Sequence, residues 1–279
     1  MPFATAADGT ALYYEDWGRG RPLVFLGTAM QNSRMWEHVA RPLVEAGLRC
    51  ITVDRRGHGR SDWPWDGYDF DTLADDLAAI LDRTDVADAV LVGYAMGGGE
   101  TVRHLSRHGT ERVGAVALVN SVTPFMCRTD DNPEGLDPSV FDGIVAELMA
   151  DRARWVVDAA AGFFGGPEGT VENLPVSFEH ARWLGYMALD CSSRAALESY
   201  RTLFTTDLRP DVATLRSSGL PVLLIHGDGD LGAPLELCGM RTARLLPDAP
   251  FVVYEGAAHG LFATHADRLV ADLLKFAAS

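Results

Sequence analysis

Ala89-Val-Leu-Val-Gly93-Tyr-Ala95-Met-Gly97-Gly-Gly-Glu100 is the stretch that decides the fold. It opens on an apolar run of strand length, and Glu100 to His108 continues it in a helical pattern. Between the two, Gly93-Tyr-Ala95-Met-Gly97 follows the G-x-S-x-G pattern of a nucleophile elbow, with alanine at the serine position. Strand, sharp turn and helix is the context that the pattern requires. Its glycines have a physical job: a turn that lifts one side chain above a sheet edge leaves no room for Cβ atoms on either side. Ala95 holds the lifted place, and a methyl group attacks nothing.

The chemistry of such an elbow also needs a base and a carboxylate to orient it, in the chain order nucleophile, acid, histidine. Leu220-Pro-Val-Leu-Leu-Ile-His226 reads as a buried strand and leads into Gly227-Asp228-Gly229-Asp230. Phe251-Val-Val-Tyr-Glu255 reads as the next strand and leads into Gly256-Ala-Ala-His259-Gly260. An acid after one strand and a histidine after the next put both groups at one sheet edge. The chain therefore reads as a serine hydrolase that lacks its nucleophile.

The 279 residues suit one large domain, or one domain with an inserted subdomain. With 47% hydrophobic residues a substantial core is expected. No apolar run reaches the ~18 residues of a membrane span. Met1-Pro-Phe-Ala-Thr-Ala-Ala-Asp8 lacks the basic and apolar regions of a signal peptide, so a cytoplasmic protein is expected. A formal net charge of −15 argues against nucleic acid and anionic membranes as partners. The four cysteines (Cys50, Cys127, Cys191 and Cys238) are far apart and form no C-x-x-C pair, so free thiols are expected and neither a metal site nor a disulfide framework.

Strand and helix patterns alternate through the first half: strands at 12–17, 23–26, 48–53, 89–92 and 113–119, helices at 35–46, 70–83 and 100–108. Apolar strands separated by amphipathic helices imply a mostly parallel sheet covered on both faces, an α/β class. Between Ser121 and Thr206 the rhythm turns helical, with Pro and Gly clusters and no clear strand. The expected organisation is a core of residues 1–120 and 207–279 with a helical cap of residues 121–206. The cap's apolar residues, Phe125, Trp155, Phe163, Phe164, Trp183 and Met187, are candidates for lining a substrate pocket, together with Thr28 and Trp36 from the core.

Elbow, acid loop and histidine loop together resemble the α/β-hydrolase superfamily, with a mostly parallel, eight-stranded type of sheet. Asp54-Arg-Arg-Gly-His-Gly-Arg-Ser-Asp62, the run from Trp65 to Asp76, Thr129 to Asp137, Phe204-Thr-Thr-Asp-Leu208 and Gly256 to His265 further resemble the cofactor-free, non-heme bacterial haloperoxidase and aryl esterase family. That resemblance runs nearly end to end. It implies an ester hydrolase without metal or other cofactor, acting on a small hydrophobic ester-like substrate, with peracid formation and halide oxidation as a side activity. It puts Ala95 at the nucleophile position, Asp230 at the acid and His259 at the base, with the N–H groups of Met96 and Ala29 as oxyanion donors. A homo-oligomer is also open to it. One departure stands out: relatives place His-Gly, an aromatic and a proline after the strand that here ends at Leu26, whereas this chain has Gly27-Thr28-Ala29-Met30-Gln31.

Asp228 competes with Asp230 and is expected to cap a turn through its own backbone. His38, His104, His108 and His180 are expected to be solvated, His58 to shape a turn, His226 to bond backbone and His265 to open the last helix. Glu100 suits the first turns of the elbow helix. For Ala95 two readings stand. In one, serine was deliberately replaced to hold an unreacted ligand; the retention of Asp230 and His259 in otherwise intact loops favours it. In the other, the natural chain lacks serine, and either uses His259 and Asp230 as a base pair for cofactor-free dioxygenase or lyase chemistry or only binds a ligand.

Overall fold

The computed structural model describes residues 2–278. Eight strands form one sheet: β1 (Phe3–Thr5), β2 (Ala11–Gly18), β3 (Pro22–Leu26), β4 (Arg49–Val53), β5 (Ala89–Tyr94), β6 (Val113–Val119), β7 (Val222–Gly227) and β8 (Phe251–Tyr254). Their order across the sheet is β1-β2-β4-β3-β5-β6-β7-β8. The β1–β2 and β2–β4 pairs are antiparallel; every pair from β4 to β8 is parallel. β1 is a strand that the sequence pattern did not announce, being only three residues long.

The period of two along each buried strand decides which helices cover which face. Val24, Leu26, Leu91, Val116, Leu118 and Leu224 share one apolar cluster with residues of α2 (Phe70–Thr84), α3 (Met96–His108) and α7 (Arg209–Ser218). Leu23, Phe25, Val90, Val92, Ala115, Ala117 and Leu223 share the opposite cluster with residues of α1 (Glu37–Glu45) and α10 (Ala266–Ala277). Each such leucine or valine contributes roughly 1.5–3 kcal/mol by leaving water. Two faces buried at once explain why β3, β5 and β7 read as continuous apolar runs rather than as alternating ones.

Between β6 and β7 the chain leaves the sheet for α4 (Pro138–Gly165), α5 (Phe178–Leu189) and α6 (Ser193–Thr205) before α7 returns it. α4 is broken at Asp151, whose backbone is extended (φ −157°, ψ 87°). Backbone hydrogen bonds tie this helical layer to the core. Gly260 N–H donates to Phe163 O at 2.6 Å, and the loop after β4 exchanges Gly59 N–H to Asp190 O (3.2 Å) and Ser192 N–H to Gly57 O (2.8 Å). α8 (Gly239–Leu245) packs with the α2/α3/α7 cluster and the short α9 (Leu261–Thr264) with the opposite one.

Some expectations need correction. The helix read over 35–46 is a 3₁₀ turn over Ser33–Trp36 followed by α1. His104 is not solvated: it is buried between α3 and α2, its Nδ1 faces Ala74 O at 3.2 Å, and burial lowers its pKa to about 4. A histidine on an amphipathic helix can fall on either face, and this one falls inward. No helix among the described residues is long and apolar enough to cross a membrane. All four cysteines are free and buried.

Candidate active site

Strand β5 ends at Tyr94, and the chain turns into α3 through Ala95 at φ 50°, ψ −113°. For a residue with a Cβ this backbone costs on the order of 1–3 kcal/mol and persists only where its surroundings impose it. They do: Ala95 N–H donates to Val119 O at 3.0 Å, and Ala95 O accepts from Gly98 N–H at 3.0 Å. A Cβ at Gly93 would stand 2.6 Å from Thr101 Oγ1, and one at Gly97 would stand 2.3 Å from Leu26 O. The elbow thus forms as its spacing predicts, and its lifted position carries only a methyl group.

At the same sheet edge the loop after β7 presents Asp230 and the loop after β8 presents His259. Both carboxylate oxygens of Asp230 lie 2.8 Å from His259 Nδ1. Asp230 is also fixed by two backbone donors, Gly232 N–H at 2.7 Å and Ala233 N–H at 2.8 Å. A carboxylate only accepts, so in the neutral imidazole Nδ1 carries the proton and Nε2 is the acceptor. Asp228 is elsewhere: it is exposed and accepts from Gly256 N–H at 2.7 Å, capping the neighbouring loop rather than its own turn.

Tyr94 and Asn120, which sequence reasoning passed over, hold the dyad together with His226, which was expected to bond backbone. Tyr94 donates its hydroxyl to His259 O. Asn120, at the end of β6, donates to Ala258 O and His259 O (3.2 and 3.3 Å) and accepts from Gly227 N–H at 2.9 Å, so one side chain joins the ends of β6, β7 and the histidine loop. His226 donates Nε2–H to Ala233 O at 2.7 Å, fixing the far side of the acid loop. Burial lowers its pKa and favours the neutral ring that this bond uses. A polar residue directly after a buried strand was the available signal for Asn120.

The loop from Gly27 to Gln31 is clamped from below. Arg55 donates to Gly27 O at 2.8 Å and to Thr28 O at 3.3 Å while its Nε pairs with Glu100 at 2.5 Å. Both side chains of the pair are almost fully buried. Burial raises the Glu100 carboxyl and the Arg55 charge opposes that rise. Met30 turns through φ 65° and gives its N–H to His58 Nε2 at 3.2 Å; His58 in turn donates Nδ1–H to Arg56 O at 2.8 Å. Burial first, and then the Arg55 charge, hold the His58 pKa down to about 3, so the ring stays a neutral acceptor. Gly97 N–H donates to Gly27 O at 3.2 Å, which ties the loop carrying Ala29 to the first turn of the helix carrying Met96. Met96 N–H is the first amide of α3 and has no intrahelical acceptor.

Above this loop a chamber of about 70 Å³ opens under α4 and α5, lined by Ala29, Met30, Gln31, Trp155, Phe163, Phe164 and Leu184 among others. Its walls are mostly apolar, with Tyr200 and Gln31 as polar members; Gln31 Nε2 donates to Leu184 O while its Oε1 has no partner. Phe163 meets His259 edge to face, with ring centroids 5.4 Å apart. Of the pocket candidates, Trp155, Phe163 and Phe164 line the chamber; Thr28 does not, its Oγ1 lying instead 3.3 Å from His259 Nε2. The others do not line it. Trp36 is fully buried under the sheet against Phe25, Tyr94 and Phe262. Phe125 packs in the α2/α3/α7 core beneath Arg209. Trp183 stacks with Arg34, and Met187 packs beneath α5 in the opposite core. In each case the sequence shows the apolar character but not the face.

The Arg55–Glu100 clamp makes a stability prediction. Glu100→Gln leaves a buried guanidinium without its countercharge, a change worth ~3–5 kcal/mol, whereas Asp158→Asn breaks only an exposed α4 pair with Arg154 and should cost little. Urea denaturation of the two variants should show that difference; equal losses would mean that the clamp does not hold the loop.

The profile of the alpha/beta hydrolase fold family matches residues 21–266. The chain is 38% identical to a non-heme chloroperoxidase of Kitasatospora aureofaciens, over 99% of both chains. It is 34% identical to a bifunctional esterase/perhydrolase of Acinetobacter calcoaceticus, also over 99% of both. The crystal structure of a bromoperoxidase from Bacillus anthracis superposes with a TM-score of 0.93 at 34% identity, covering 99% of this chain and 100% of that one.

Proposed function

The chain belongs to the α/β-hydrolase fold family, and from that premise we propose that it carries the machinery of a serine-type ester hydrolase whose nucleophile position is filled by alanine. The observation that supports this most is the His259–Asp230 pair. Both Asp230 oxygens lie 2.8 Å from His259 Nδ1 and two backbone amides fix the carboxylate, while Ala95 keeps a strained elbow backbone at the end of β5. With serine at 95, Oγ attacks the ester carbonyl while His259 Nε2 accepts its proton. Asp230 holds the tautomer and stabilises the imidazolium. The oxyanion is met by the N–H groups of Met96 and Ala29 and by the N-terminus of α3. Water then repeats the two steps on the acyl-enzyme. Hydrogen peroxide in place of that water gives a peracid, the side activity that the names of the perhydrolase and haloperoxidase relatives suggest for this chain.

The apolar chamber suggests a small, largely hydrophobic acyl group carried as an ester, lactone or thioester. No step in this scheme calls for a metal or other cofactor. The expected outcome is a chain-length profile. In an Ala95→Ser background, p-nitrophenyl acetate and butyrate are cleaved well, and Ala160→Phe, which fills the chamber wall, depresses butyrate more than acetate. A uniform loss on both substrates would place the acyl group elsewhere.

As it stands, the Ala95 chain cannot form an acyl-serine. The intact dyad and loops favour a deliberate serine-to-alanine replacement that traps a ligand. One observation favours the second reading, a naturally serine-free chain: the Thr28 hydroxyl faces His259 Nε2, so the elbow's departure is matched by a second one at the same nitrogen. The codon at position 95 in the source gene separates the two. Turnover of an acidic C–H or O–H substrate by the Ala95 chain, lost in His259→Ala, would point to dioxygenase or lyase chemistry instead; saturable binding without turnover in either form would point to a binding protein.

A further inference from the structure

The dyad is not idle in this chain. His259 Nε2, the only ring nitrogen free to accept once Nδ1 is committed to Asp230, has a hydroxyl facing it: Thr28 Oγ1 at 3.3 Å. Both residues are buried. A hydroxyl on a base that is itself oriented by a carboxylate is the constellation of nucleophilic catalysis, and it is recognised by geometry and role rather than by position in a motif. At 3.3 Å the contact is long, as such bonds are before substrate tightens them.

Thr28 is also held where a nucleophile must be held. Its carbonyl accepts from Arg55 at 3.3 Å and from Gln31 N–H at 3.4 Å, and Gly27 before it is bound by both Arg55 and Gly97 N–H. A β-branched side chain on so fixed a backbone has few χ1 choices. The next residue, Ala29, lines the apolar chamber, and Phe163 of the same lining meets the His259 ring with centroids 5.4 Å apart. The methyl of Ala95 offers no competing hydroxyl.

The geometry points to Thr28 as an alternative nucleophile, through which the Ala95 chain carries out slow acyl transfer from activated esters. This rests on reading His259–Asp230 as a working base. In the first step a bond forms between Thr28 Oγ1 and the carbonyl carbon, and the hydroxyl proton passes to His259 Nε2. Collapse breaks the bond from that carbon to the leaving oxygen, which takes the proton from His259. Water adds to the acyl-threonine in the same way, His259 taking and returning its proton, and Thr28 is released with the free acid.

The test uses the Ala95 chain unaltered, with p-nitrophenyl acetate as the probe. Release of p-nitrophenol is followed, and the protein is quenched and digested to locate any acetyl group by mass spectrometry. Acetate is expected on the peptide carrying Thr28. Thr28→Val, which keeps the shape and removes the hydroxyl, should abolish both adduct and turnover, while Thr28→Ser should retain both and show that the loop still folds. His259→Gln should slow acetylation by ~10²-fold or more, the range of general-base assistance. The inference is overturned if Thr28 carries no acetyl group, or if Thr28→Val releases p-nitrophenol as fast as its parent. Its failure is separable from that of the proposed function. An active Ala95→Ser form beside an unlabelled Thr28 sinks only this inference; a labelled Thr28 beside an Ala95→Ser form no faster than its parent sinks the serine-hydrolase reading.

Discussion

Ala95→Ser should raise kcat for p-nitrophenyl acetate by at least ~10³-fold over the Ala95 chain. Removing the nucleophile from an intact triad costs ~10⁶ in kcat, and the remaining oxyanion and binding machinery still gives ~10³–10⁴ over water. Any acylation through Thr28 lifts the baseline and narrows the gain. Little should stand in the way of the gain. The elbow already holds φ 50° at position 95, so serine enters a turn whose strain is imposed by Val119, Gly98 and the glycines at 93 and 97. The His259 ring is oriented by Asp230, and the Gly27–Gln31 loop is tied to α3. A steady-state assay of the two purified forms decides it, and a revertant no faster than its parent would mean that the elbow is not an active nucleophile site.

The second large effect concerns the acid. In the Ala95→Ser background, Asp230→Asn should lower kcat by ~10⁴, the loss seen when a triad aspartate becomes an amide and the histidine takes the wrong tautomer. An amide at 230 presents its NH₂ or its oxygen to His259 Nδ1, and it gives up the negative charge that stabilises the imidazolium. Asp228→Asn should leave kcat within a few-fold, because an amide oxygen can still accept from Gly256 N–H. Parallel kinetics on the two variants check the assignment. Equal losses, or a larger loss at 228, would move the acid to Asp228.

What was legible in the chain, and what was not, follows from the range of the interactions involved. The elbow, β6 and the loops carrying Asp230 and His259 could be read because each is local: a buried parallel strand is a continuous apolar run, and a sharp turn needs glycines at set places. Long-range pairing could not be read. Glu100 suited the start of a helix, and nothing nearby said that Arg55, 45 residues earlier, would come to it and clamp Gly27 and Thr28. Face was equally hidden. Trp36 and Trp155 are both tryptophans on helical segments, yet one fills the core and the other walls the chamber. Thr28 stands out as a pocket candidate from a loop whose wording departs from its relatives, while its contact with His259 emerges only when residues 231 positions apart meet.

The most direct measurement of the central claim, that the elbow, His259 and Asp230 form one reactive site, is covalent labelling of the Ala95→Ser form with a fluorophosphonate, mapped by peptide mass spectrometry. The account predicts stoichiometric label on the serine introduced at position 95, formed rapidly and suppressed when His259 is also changed to Gln. Absence of label at that position in a folded Ala95→Ser protein, or labelling that is indifferent to His259, would contradict it.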